Sequence, residues 1–293
     1  MQNLLLQTTI EGDPDDWNIS RFSHLKAFLE NLRDDDGRSA FRVTARNRDP
    51  LGKADSVLSR LHESDFHQLW LFAVDTGDGL TDEDCDGISQ FRRRGGGMMV
   101  TRDHMDLGSS ICTLGGVGAA HHFHTRNPDP DPSRCCVDDR ATTYISWPNY
   151  HSGANGDYQH VQPVGDVHPV LRDPQSEEGF IRYLPSHPHE GAVGAPAGDE
   201  TSRVILRGRS QATEREFNLA VAFERSEQGG RAIAQSTFHH FADYNWDIAA
   251  GSPSFVSEAP GDGMIRFPEA LRSTHQYVRN VAFWLGGADE RLV

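Results

Sequence analysis

Residues 91–108 read FRRRGGGMMVTRDHMDLG. Gly95, Gly96 and Gly97 end one segment, and Met98-Met99-Val100-Thr101 is a short apolar run suited to a buried strand. The polar group Arg102-Asp103-His104-Met105-Asp106 follows at once. In an open α/β sheet, ligands bind outside the carboxyl ends of the central strands, so polar residues just past such a strand are placed for chemistry.

Working outward, residues 3–9 and 41–45 read as strands, and 68–74 (QLWLFAV) is nearly continuous in apolar residues, as a strand covered on both faces should be. Phe22, Leu25, Phe28, Leu29 and Leu32 fall at helical spacing within 17–32. Thr81 and Asp84 resemble a capping box that opens a helix running to Arg94. The order strand, helix, strand, strand, helix, strand predicts a flavodoxin-like, doubly wound α/β fold, with a mostly parallel sheet and helices on both faces. Strands are expected again at 179–184, 203–207, 217–223 and 231–235, the last two as a hairpin, and an amphipathic helix at 269–285 closes the chain. Residues 119–166 are rich in Pro, Gly, Asn and Asp and read as a long irregular insertion in a single domain, with Phe123, Tyr144, Trp147, Tyr150 and Tyr158 favouring an ordered lid.

A chain of 293 residues can bury a sizeable core in one large α/β domain. With 28 basic against 43 acidic residues the net charge is −15, a field that repels a phosphate backbone and disfavours nucleic acid as a partner. No stretch approaches the length of a membrane span, and the amino-terminal residues lack the pattern of a leader, so a cytoplasmic protein with a small-molecule substrate is expected. A homo-oligomer is compatible with this composition. The four cysteines, Cys85, Cys112, Cys135 and Cys136, show no CxxC spacing and read as reduced thiols.

The stretch LTDEDCDGISQFRRRGGGMMVTRDH resembles the ThuA-like (trehalose utilisation) branch of the class I glutamine-amidotransferase-like superfamily, in which a helix leads through a glycine-rich turn into a strand and a polar elbow. Val167-His168-Pro169-Val170, His189-Glu190-Gly191 and the segment from Gly230 to His240 resemble later motifs of that branch, in the same order. True glutamine amidotransferases carry a Cys nucleophile on the elbow, where this chain has Arg102-Asp103-His104, so the resemblance does not extend to glutaminase activity. It implies instead polar positions at the elbow and in the two later motifs that can hold a metal, and a carbohydrate-like substrate.

The histidines point the same way. Of 15 in the chain, many gather at His104, at His121, His122 and His124, at His187 and His189, and at His239 and His240, after expected strands or within the insertion. Imidazole and carboxylate suit zinc or another first-row divalent ion, and a catalytic site needs only three protein ligands and an open position. His104, His189 or Glu190, and His239 would supply such a set from three loops; the same histidines also suit plain loop hydrogen bonding. Asp103, His104, Glu190 and His240 are the candidate catalytic groups, with Asp103 either a base or a support for a ligating ring. Asp106 reads as a helix cap. Asp75 and Asp78 could bind substrate hydroxyls and Trp147 and Tyr150 could stack on a sugar face, or all four could serve turns and packing. His121, His122 and His124 form a second tier of metal candidates.

The sequence therefore predicts a metal-assisted hydrolase, lyase or isomerase acting on a small polar, carbohydrate-like molecule. The alternative is a non-catalytic binding or accessory protein on a scaffold that lacks the Cys nucleophile.

Overall fold

The computed structural model describes all residues except 112, 136–137, 139–141, 143 and 289–293. Its centre is an eight-stranded sheet of β1 (Gln2–Thr8), β2 (Phe41–Arg46), β3 (Gln68–Phe72), β4 (Gly97–Thr101), β7 (Gln162–Pro163), β10 (Ser202–Arg209), β11 (Glu216–Phe223) and β12 (Ala232–Gln235), in the order β2-β1-β3-β4-β12-β11-β10-β7. The first five in that order are parallel and the remainder antiparallel. The parallel part has the flavodoxin-like order, with its topological switch between β1 and β3.

Each strand follows from its composition. β3 and β4 are buried along their whole length, which only an apolar run tolerates, and their neighbours pair in step, Leu69 with Met98 and Phe72 with Thr101. Helix α2 (Asp82–Arg93) starts at a capping box: Asp84 donates its backbone N–H to Thr81 Oγ1 at 3.3 Å, and Thr81 returns its own N–H to Asp84 Oδ2 at 3.0 Å. Gly87 lets this helix lie against the 58–63 turn, since a Cβ there would sit 2.3 Å from the Leu58 carbonyl oxygen. Helix α1 (Ser23–Asn31) and the closing helix α5 (Pro268–Leu285) cover the opposite face. Two buried apolar clusters result: Leu4, Leu6, Trp70, Phe72 and Met99 with α1 and α5, and Leu5, Leu69, Leu71, Met98 and Val100 with α2.

The structure departs from the sequence reading in several places. The first helix begins only at Ser23, after a 3-10 turn at Ile19–Phe22 that Asn18 caps. Residues 104–110 form turns and no helix, so Asp106 caps nothing; its carboxylate accepts the Thr125 N–H and hydroxyl at 2.9 and 2.8 Å. The expected strand at 179–184 shrinks to β8 (Tyr183–Pro185), paired with β6 (Tyr158–His160). The 119–166 insertion supplies β5 (His121–His122), paired with β9 (Ala192–Val193), as well as β6 and the edge strand β7. Short helices α3 (Asp243–Trp246) and α4 (Gly263–Arg266) complete the order. Cys85 is disulfide-bonded, against the expectation of reduced thiols; Cys112 and Cys136 lie outside the described residues. No helix among the described residues is long and apolar enough to cross a membrane.

His275 on α5 stacks on Phe28 at 4.4 Å and meets Trp246 edge to face at 5.0 Å. Burial in that apolar slot, reinforced by His24, pushes its pKa down to about 4. The unfolded chain binds this proton near pH 6.5, so the stability is complete above that pH and is lost as pH falls towards 4. The shift corresponds to about 3 kcal/mol, reduced to about 2 kcal/mol by solvent screening. Urea unfolding at pH 7 and pH 4.5 should show His275→Phe losing about 2 kcal/mol less than the parent on acidification; parallel losses would disprove the assignment.

Candidate metal centre

β4 and β12 lie side by side, with Thr101 opposite Gln235, so the loops leaving their carboxyl ends emerge together. Asp103 comes from the first loop and His239 from the second, which is fastened to it by the Phe238 N–H on the Arg102 carbonyl at 3.0 Å. The loop after β8 brings His187, and the Gly191 N–H on the Ser236 carbonyl at 3.2 Å ties that loop to the other two. Ligand atoms of Asp103, His187 and His239 all lie within 4.8 Å of one another, and all three residues are buried.

The spacing within this group is informative. His187 Nε2 is 3.5 Å from Asp103 Oδ1, and His239 Nε2 is 3.8 Å from Asp103 Oδ2. Those gaps are long for hydrogen bonds, and Asp103 Oδ1 and His187 Nε2 are buried atoms with no hydrogen-bond partner. Ligand atoms around a tetrahedral zinc ion, at about 2.0–2.1 Å from it, stand about 3.3 Å apart, so the residues present fit such an ion with a small contraction.

The outer nitrogens fix the rings. His187 Nδ1 lies 2.9 Å from Asn155 Oδ1, and His239 Nδ1 lies 3.0 Å from Asn245 Oδ1. Because an amide oxygen only accepts, each Nδ1 carries the hydrogen, and in a neutral ring Nε2 is then a bare lone pair. Asn245 Nδ2 donates to Asn155 Oδ1 at 2.9 Å and to the Ser186 carbonyl at 3.0 Å, which sets the orientation of both amides. The two imidazoles stack at 3.6 Å with planes 11° apart. Burial, together with neighbouring His239, holds the His187 pKa well below its usual value, so this ring is neutral. Burial alone would raise the Asp103 carboxyl, but its neighbours, His104 foremost, outweigh it and hold the group below the carboxylate range.

The cluster forms the floor of a cavity of about 380 Å³. His104 and His189 line it, with their rings edge to face at 5.5 Å, and His104 Nε2 is 3.9 Å from Asp103 Oδ2. Trp17 packs its edge on His239 at 4.7 Å, while Tyr144 and Phe255, 77% and 59% exposed, stand at the mouth. Asp16 and Glu258 also line it, and among the described residues no Lys or Arg does. Burial raises the Asp16 pKa above its ordinary value.

Other candidates from the sequence sit elsewhere. Glu190 is fully buried outside the lining of this cavity and accepts from Ser152 Oγ at 2.5 Å, Ser236 Oγ at 2.8 Å and the Gln159 amide. His240 Nε2 stands 3.3 Å from it, with Gln235 and Tyr277 continuing the chain of contacts behind. This carboxylate ties together the loops that bear the cluster. Asp75 is likewise consumed by structure, through Thr9 Oγ1 at 2.6 Å and Ser110 Oγ at 2.8 Å, and Asp78 is exposed beside Thr76. Trp147 is buried in the core, and Tyr150 stacks on Phe217 at 4.7 Å with its hydroxyl on the Arg134 carbonyl. His121 and His122 are buried in β5, and His124 Nδ1 lies 3.2 Å from the Trp147 carbonyl; none joins the cluster. The sequence reading missed His187 as a ligand, and Asn155 and Asn245 altogether. The His-Pro-His spacing marks the segment, but which of its two rings turns inward depends on the fastening of the loop.

No protein-family model matches the chain, and no curated protein matches it at a significant level. Solved structures similar to it include ThuA-like proteins from Bacteroides uniformis (12% identity, 97% of this chain and 91% of that one, TM-score 0.47) and Parabacteroides merdae (14%, 89% and 95%, TM-score 0.44). The glutaminase domain of Trypanosoma brucei CTPS is also similar, at 12% identity over 96% of this chain and 94% of that one, with a TM-score of 0.48.

Removing the Glu190 carboxylate should leave three buried donors and His240 without their acceptor. Glu190→Ala is expected to cost about 3–5 kcal/mol in urea unfolding. A loss below about 1 kcal/mol would mean that water or a rearranged loop satisfies those groups.

Proposed function

We propose that the protein is a divalent-ion-dependent hydrolase, lyase or isomerase acting on a small, uncharged polar molecule. The observation that carries this reading is the buried, closely spaced set of ligand atoms on Asp103, His187 and His239, with Asp103 Oδ1 and His187 Nε2 unpartnered and the outer nitrogen of each histidine held by an asparagine. A divalent ion, zinc by ligand type, would supply Lewis acidity at this point when bound.

The residues around it do the remaining work. His104 and His189 stand on the cavity wall at the cluster, where an imidazole can carry a proton to or from a bound molecule. Asp16, a carboxyl raised by burial, is a further proton carrier across the same cavity. Trp17, Tyr144 and Phe255 offer aromatic faces on which the apolar face of a sugar ring can rest, which supports a carbohydrate-like substrate. With the carboxylates of Asp16, Asp103 and Glu258 and, among the described residues, no Lys or Arg lining the cavity, a phosphorylated substrate would meet repulsion. The Cys85 disulfide favours an oxidising compartment over the cytoplasm expected from sequence.

A second reading rests on His104. If its ring, now 3.9 Å from Asp103 Oδ2, closes on the ion as a fourth ligand, the site is structural and the protein a binding module.

Elemental analysis of purified variants decides between them. Asp103→Asn, His187→Ala and His239→Ala should each fall from one equivalent of metal to near none, whereas His104→Ala retains it; Asn245→Ala should bind it roughly 10–100-fold more weakly. Loss of metal in His104→Ala would favour the closed site, and metal retained in all the variants would end the proposal.

A further inference from the structure

A second cavity, of about 430 Å³, opens between the start of α2 and the turns of residues 108–127. It packs with the α2-side apolar cluster, through Ile111 and Phe123, whereas Trp17 and Phe238 of the metal-centre cavity belong to the cluster on the other face of the sheet. Its polar lining includes His121, Ser109 and Arg126.

His121 is the unusual member. It is fully buried, yet neither Nδ1 nor Nε2 has a hydrogen-bond partner. Leaving such a ring unpaired in the interior costs about 1–3 kcal/mol for each lost hydrogen bond, so its retention beside a cavity points to a partner that arrives from outside. Burial and the nearby Arg102 hold its pKa well below the usual value, and the neutral ring offers one donor and one acceptor.

Two further groups converge on the same space. A Cβ placed on Gly77 would stand 3.3 Å from Ser109 Oγ and 3.8 Å from Arg126 Nη2, so the glycine keeps that corner open. Arg126 gives one N–H to the Ser109 carbonyl at 3.1 Å, leaving other donors of its planar fork for a ligand. His121 and Arg126 belong to one tight turn, closed by the Phe123 N–H on the Arg126 carbonyl at 3.1 Å and by Asn127 Nδ2 on the His121 carbonyl at 2.8 Å.

We infer that this cavity is a second ligand site, which takes a small carboxylate with an apolar body: Arg126, Ser109 and His121 grip the carboxylate, and Leu80, Ile111 and Phe123 cover the rest. The guanidinium supplies the charge and the planar match to a carboxylate, and the volume lies in the range of small-molecule sites. The exposed carboxylate of Asp82 at the rim selects against a multiply charged anion.

Calorimetric titration with 4-methylpentanoate and its neutral isostere 4-methylpentanol tests this on the full chain. The acid should bind saturably, one per chain, and roughly tenfold or more tighter than the alcohol. Arg126→Ala should weaken the acid by at least roughly tenfold and leave the alcohol and the metal content unchanged. If that variant fails to fold, Ser109→Ala, read in the same way, replaces it. No saturable binding at millimolar acid, equal binding of acid and alcohol, or unaltered acid binding in a folded variant would each overturn the proposal.

Discussion

Two imidazole lone pairs and a carboxylate that face one another in a buried site repel unless something positive lies between them. In this protein the arrangement is set by hydrogen bonds outside the gap: Asn155 and Asn245 hold the protons of His187 and His239 on the far side of each ring. The near side is left electron-rich, against a carboxylate that is itself ionised. A proton could relieve one contact, but burial disfavours charging His187, and the three ligand atoms are close enough together to hold a metal ion.

The rest of the fold keeps these loops in place. Arg102, one residue before Asp103, is fully buried with its guanidinium 4.0 Å over the Phe123 ring, and it donates to the carbonyls of Asp103, Met105 and His122. Burial lowers its pKa to about 9, which still leaves it cationic at neutral pH, and three carbonyl dipoles replace the water it has lost. Glu190 plays the converse part, an interior anion surrounded by donors from three segments. One buried cation and one buried anion thus brace the elbow and the loops against which it closes, and each is costly to disturb because its partners would be left unpaired.

The elbow after β4 presents the Asp103 carboxylate, and Cys85, on the α2 side of the sheet, is spent in a disulfide. Parallel strands deliver these loops to one rim, and function has to be argued from the side chains found there.

The doubly wound sheet, the capped helix α2, the β11-β12 hairpin and the rim where Asp103 and His239 emerge were all legible in the sequence by itself, because hydrophobic periodicity and turn chemistry are local. The choice among neighbouring histidines was not. His187 faces the cluster while His189 lines the wall, His239 enters the cluster while His240 turns to Glu190, and Glu190 became a brace because Ser152, Gln159 and Ser236 reach it from distant segments. In irregular loops no period dictates which side chain points inward. Long-range hydrogen bonds decide that, and they exist only once the chain has folded.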